Sequence, residues 1–237
     1  MKLLTAVFAV QAFLQLAHAD VPAMLEPKRE EELLYHERIG TIDGPVGQVE
    51  KVSKSPRVDR FGGQGDGSTL ALGGYVFQGD KAKTNEEAKI HIRYRDKTYV
   101  ELYHNSSFGA ERVRRGSIRN ADRKDESVFR FYYGLVRITA PSVEPYVRYY
   151  VKHNERIISL EGPSDFYLEQ KPETGNLIIH MRRGNAVVMS STKGIKADVA
   201  EGQSREIRKD NTIKSLQPLS EKDLGIFRRK TAIKLNQ

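Results

Sequence analysis

Between residues 112 and 124 the chain carries Arg112, Arg114, Arg115, Arg119, Arg123 and Lys124, opposed within that segment only by Asp122. Six cations against one carboxylate leave a local charge of +5, which attracts phosphate or carboxylate groups through charge-assisted hydrogen bonds. These six residues are the candidate contacts for an anionic partner. Chemistry of other kinds finds less support. His36, His91, His104, His153 and His180 stand at no metal-ligand spacing, so no metal site is expected. Ser106-Ser107, Ser164-Asp165 and Ser190-Ser191 supply hydroxyls without a nucleophile-elbow pattern. Carboxylate pairs such as Asp122/Asp125 and Glu161/Asp165 satisfy the minimal requirement of a glycosidase. With 31 acidic residues such pairs arise by chance, and a carbohydrate-active hydrolase is the remoter alternative. The expectation is a protein with no catalytic residues and no cofactor.

Composition narrows the class further. The chain has 237 residues, 38% hydrophobic and 30% charged, with neither Cys nor Trp. That excludes a multi-span membrane protein, a disulfide framework, a thiolate zinc site and a cysteine nucleophile. The formal net charge of +8 favours an anionic partner without demanding one.

The compartment is written at the start. Met1-Lys2, an apolar run over 3–16 and the small-x-small sequence Ala17-His18-Ala19 read as a secretory signal peptide over 1–19. Its apolar run is shorter than the roughly 20 residues a spanning helix needs, so an uncleaved anchor is the weaker reading. No later segment reaches that length. The expected location is periplasmic or secreted, which argues against nucleic acid as a partner and leaves an envelope protein or an anionic polymer.

The elements that must position the basic cluster are strands. Residues 20–45 are dense in charge and predict a linker or short helix, whereas from Val46 short apolar stretches of period two alternate with Gly, Asp, Asn and Pro. The segment 89–103 shows this best. Ile90, Ile92 and Tyr94 share one face, Arg95-Asp96-Lys97 turns, and Thr98, Val100 and Leu102 share a face on the return, which predicts a β-hairpin with His91 on the opposite side. Further strands are predicted at 70–77, 128–133, 135–139, 147–152, 156–161, 165–169, 176–181, 186–190, 194–199 and 204–207. Residues 112–124 are expected to form a loop or hairpin tip. The Gly-rich segment 62–68 lacks the residues of a phosphate or calcium loop and predicts a flexible connection. Ser220 and Asp223 precede apolar residues in the manner of a capped short helix. The tyrosines clustered in these strands are expected mainly to pack, with a saccharide or protein site as the alternative.

Gly79, Asp80, Thr84, Ala88, Asp96, Thr98, Val100 and Leu102, in that order, resemble the motif of the FecR domain family. Gly134-Leu135-Val136-Arg137 is similar to its following strand, and Val199-Ala200-Glu201-Gly202-Gln203 to its closing element. Gly162-Pro163-Ser164-Asp165-Phe166 matches a third element only in part. The resemblance implies an all-β, extracytoplasmic module, β-solenoid-like or sandwich, that binds other macromolecules. It spans 46–207, with a basic extension over 208–237. In the best-known members the module is the periplasmic half of a transmembrane regulator of a sigma factor and works with an outer-membrane receptor. Here a signal peptide stands where that family has a cytoplasmic helical domain and a span, so the expected role is a non-enzymatic binding or structural module of the envelope. The anionic-glycan alternative is a lipopolysaccharide or wall-polymer binder.

Overall fold

The computed structural model describes residues 44–59, 68–113, 125–141, 147–170, 172–190 and 196–220. Among them the secondary structure is strand. The order is β1 (Gly47–Ser53), β2 (Arg57–Asp59), β3 (Ser68–Thr69), β4 (Tyr75–Val76), β5 (Lys81–Lys83), β6 (Lys89–Tyr94), β7 (Tyr99–Leu102) and β8 (Ser107–Arg112), followed by β9 (Asp125–Ala140), β10 (Val147–His153), β11 (Arg156–Gln170), β12 (Leu177–Ser190), β13 (Lys196–Val199), β14 (Gln203–Ile207) and β15 (Gln217–Pro218).

The predicted hairpin forms. Ile92 stands opposite Val100 and Ile90 opposite Leu102, all four fully buried. Asp96 secures its turn by accepting the Thr98 N–H at 2.9 Å. Gly79 and Asp80, the first two positions of the FecR-like motif, make a turn: Gly79 has φ +88°, which costs glycine little, and Asp80 Oδ2 accepts the Phe77 N–H at 2.9 Å. Residues 70–77 depart from expectation. Only Tyr75–Val76 is strand, because Leu70 to Gly74 fold into a tight turn in which the Gly74 N–H reaches the Ala71 carbonyl at 3.0 Å.

Three long strands decide the architecture. The predicted pairs 128–133 with 135–139, 156–161 with 165–169, and 176–181 with 186–190 are each one continuous strand: β9, β11 and β12. Each passes through a glycine of positive φ: Gly134 (+91°), Gly162 (+83°) and Gly184 (+85°). Such a residue redirects the strand and resets which face its side chains take while pairing continues. The halves therefore join different layers. One layer runs β15-β14-β12-β11-β9-β7-β6-β1-β4, using residues 177–183 of β12, 164–170 of β11 and 134–140 of β9. The other runs β3-β2-β5-β8-β9-β10-β11-β12-β13 through their opposite halves. All pairs are antiparallel except β9 with β10.

The result is one continuous, open 15-stranded sheet folded into an all-β sandwich, of the kind in which strands change layer at bends. The solenoid alternative does not form. Ile92, Val100, Ile138, Phe166 and Met181 line the inner face of the first layer in register, and Phe129, Val151, Ile158, Val188 and Ala197 line that of the second. All belong to one core, where Tyr94 of the first layer meets Phe129 of the second edge-on at 5.0 Å. The segments expected to be a signal peptide (1–19) and, up to Asp43, a linker or short helix, the Gly-rich segment up to Gly67 and the helix predicted after Ser220 lie outside the described residues.

Candidate binding face

Of the six basic candidates, Arg112 is described, and it sits on the second layer. Arg114, Arg115, Arg119, Arg123 and Lys124 lie outside the described residues, in the β8–β9 connection. Arg112 was expected in a loop but ends strand β8. Opposite β9, Ala110 faces Phe129 and Arg112 faces Val128, so Glu111 is an inserted residue. That bulge breaks the alternation and turns Arg112 out from the sheet beside Glu111. Arg112 Nη1 stands 4.0 Å from Glu126 Oε2.

The bulged Glu111 binds two cations. It accepts hydrogen bonds from Arg130 on β9 and from Lys152 Nζ on β10, the latter at 2.6 Å. Burial pushes the Glu111 carboxyl upward, yet these donors outweigh it and hold the group below its ordinary value. On neighbouring β5, Lys83 pairs with Asp59, and Lys81 lies over the Tyr132 ring at 4.2 Å. Partial burial and the adjacent Lys83 pull the Lys81 ammonium below its ordinary value, opposed by Asp59. The outer face of the second layer is thus basic, with Tyr132 and Tyr150 half-buried among its cations. Sequence reasoning passed over Lys81, Arg130, Arg148 and Lys152. The signal was available, since Arg148, Tyr150 and Lys152 alternate with the buried Tyr149 and Val151 and so share the outward side.

The outer face of the first layer is built differently. Cross-strand register places His91, Glu101, Arg137, Tyr167 and His180 in one row over β6, β7, β9, β11 and β12. Arg137 forks onto Asp165 at 2.8 and 2.9 Å and donates to Glu101 at 3.1 Å. Arg182 adds a contact to Asp165 at 3.2 Å. The Tyr103 hydroxyl donates to Glu101 at 2.6 Å, its ring stacked over Tyr167 at 6.4 Å. Arg137 is held above its ordinary value, first by its hydrogen bonds to Asp165. Burial raises Tyr99 to about 12 and keeps its hydroxyl, 2.6 Å from His91 Nδ1, protonated. His91 faces away from the apolar core as predicted, yet it is buried by this network.

Several of the candidate carboxylates and hydroxyls are engaged within the fold. Asp165 has both oxygens engaged by arginines, and Glu161 lies exposed on the far side of the Gly162 bend, so the two do not form a free carboxyl pair. Asp122 and the Asp125 side chain fall outside the described residues. Ser106 Oγ is spent on the Gly134 corner, accepting the Leu135 N–H at 2.9 Å, and Ser164 Oγ donates to the Gly162 carbonyl at 3.0 Å. No cluster of three metal-ligating side chains occurs among the described residues.

Fold and surface together define an all-β sandwich with one outer face locked by internal ion pairs and the other basic. No family model and no curated protein matches the chain. Among solved structures it is similar to two crystal structures of a proposed anti-sigma factor from Parabacteroides distasonis ATCC 8503, at 10% and 9% identity and a TM-score of 0.49 in each case. The alignments cover 62% of this chain and 64% and 63% of those chains, less than two thirds of their length.

Proposed function

We propose that the chain is an exported, non-enzymatic binding module of FecR-like kind, periplasmic or secreted, that presents a basic sheet face to an anionic component of the cell envelope. The carrying observation is the outer face of the second layer, where Arg112, Arg130, Lys152, Lys81 and Lys83 stand outward over fewer carboxylates. Two features agree with this. The positions that resemble the FecR motif serve the fold: Gly79, Asp80 and Asp96 make turns, and Thr84 Oγ1 accepts the Ser106 N–H at 2.9 Å. The 1–19 segment has the form of an export signal.

The test is cell fractionation followed by capture of envelope components on the immobilised chain at low and moderate salt. Recovery of the chain outside the cytoplasm, with an envelope component retained intact at low salt and released as salt screens it, is expected. Cytoplasmic recovery, or retained material that the chain cleaves, overturns the reading.

A further inference from the structure

On the basic face the charges form a repeated unit. Glu111 is straddled by Arg130 and Lys152. Asp59 is straddled by its ion-pair partner Lys83 and by Lys81, directly opposite it across the β2–β5 pair. Glu126 lies between Arg112, at 4.0 Å, and Arg148, directly opposite it across the β9–β10 pair. Each unit holds two cations and one carboxylate, leaving one positive charge in surplus. The carboxylate fixes the cations and relieves their mutual repulsion without cancelling them.

The arrangement of these surpluses identifies the ligand. Strands β5, β8, β9 and β10 are successive neighbours, and register places Lys81 of the unit at Asp59 and Lys152 of the unit at Glu111 in one row, three inter-strand steps or about 14 Å apart. Arg148 and Lys152 are four residues apart on β10, about 13 Å. A small anion needs donors that converge, and these stand apart. A polymer with an anion on each repeat meets them one after another. Tyr132, beneath Lys81 at 4.2 Å, and Tyr150, its hydroxyl 3.4 Å from Arg148 Nη1, set aromatic rings among these cations, a combination suited to sugar rings that carry anions.

We infer that the outer face of the second layer, from Asp59 to Arg148, is a docking strip for a linear anionic polysaccharide, gripped by the surplus cation of each two-cation, one-carboxylate unit. The assignment rests on the reading of the chain as a binding module and names the partner's chemistry.

The experiment measures binding of the full chain to polygalacturonate, with neutral dextran, polyglutamate and phosphatidylcholine/phosphatidylglycerol vesicles as competing probes. Polygalacturonate binds, dextran does not, and affinity falls tenfold or more between about 50 and 200 mM salt as the release of counterions becomes less favourable. The combined variant Lys81→Gln, Arg148→Gln, Lys152→Gln removes one cation from each unit and leaves every carboxylate its other partner. It keeps the parent's melting temperature and loses about tenfold or more in affinity. A control with the same charge change elsewhere, Lys97→Gln, Arg183→Gln, Lys209→Gln, binds within about threefold of the parent. Equal losses in the two variants reduce the effect to net charge and overturn the strip. Tighter binding to polyglutamate or to the vesicles overturns the glycan in favour of an acidic protein or a membrane surface. Capture of an envelope protein with no binding to polygalacturonate overturns this inference and leaves the module reading standing.

Discussion

Replacing Gly134 by alanine tests whether the long strands depend on their glycine corners. Two costs are added. Holding an L-residue at positive φ costs about 1–2 kcal/mol; Gly134 has φ +91°. A Cβ there also meets the Asn105 carbonyl oxygen and Ser106 Oγ, each at 2.4 Å, against 3.4–4 Å for ordinary contact. Relieving that overlap moves backbone and breaks the Ser106 bridge to Leu135, about 1–3 kcal/mol more by analogy with overpacked cores. Gly162 isolates the first cost, since φ is +83° and nothing lies within 4 Å of the added atom. Gly184 repeats the double cost, its Cβ falling 2.5 Å from the Pro163 carbonyl oxygen. At about 2–4 °C per kcal/mol for a domain of this size, Gly162→Ala lowers the melting temperature by roughly 2–8 °C. Gly134→Ala and Gly184→Ala lower it about twice as far or more. Thermal and urea melts of the three variants decide the matter. Equal losses, or a Gly134→Ala variant no weaker than Gly162→Ala, refute the corner argument.

Further outcomes follow from the same coordinates. Ile92→Asp sets an unpaired charge in a fully buried row and costs several kcal/mol in a urea melt, about enough to unfold a typical domain. Arg137→Met leaves the Asp165 carboxylate, 16% exposed, to Arg182 and the Glu101 carboxylate, 9% exposed, to the Tyr103 hydroxyl, and costs about 1–3 kcal/mol; Arg137→Lys recovers less than half, because one ammonium cannot fork. His153 and His91 both sit below the ordinary 6.5, mainly through burial, with Glu101 partly opposing the shift at His91. The unfolded chain therefore binds protons more readily than the folded one, so stability is full above about pH 6.5 and falls as pH drops through that value toward the folded-state pKa values. Urea midpoints measured at about pH 7 and pH 5 show the loss, and His153→Gln, which removes the hydrogen bond to the Phe131 carbonyl, flattens it.

Much of the fold was legible because alternation is a local signal. The 89–103 hairpin and both halves of β9, β11 and β12 are visible in the period of their apolar residues. That the halves join was not visible, because a glycine of positive φ resets the alternation and looks the same as a chain reversal. Bulges hid two further strands. The insertion at Glu111 scrambles the period of β8, so Arg112 read as loop, and a similar insertion at Glu50 shifts β1 against β6. The basic face was half legible: the charge run named Arg112, whereas Arg130 and Lys152 are brought to Glu111 by pairings distant in sequence. The fork of Arg137 onto Asp165, 28 residues away, had no local signal at all.

Amide hydrogen exchange of the full chain with and without polygalacturonate tests the central claim most directly, since it reports where the polymer lies. Slowed exchange concentrated in Lys81–Lys83, in Ser107–Arg112, and along 126–132 and 148–152 is the expected result, with the row from His91 to His180 on the opposite layer unchanged. Protection confined to that row, or no protection at a polymer concentration that saturates binding, contradicts the account.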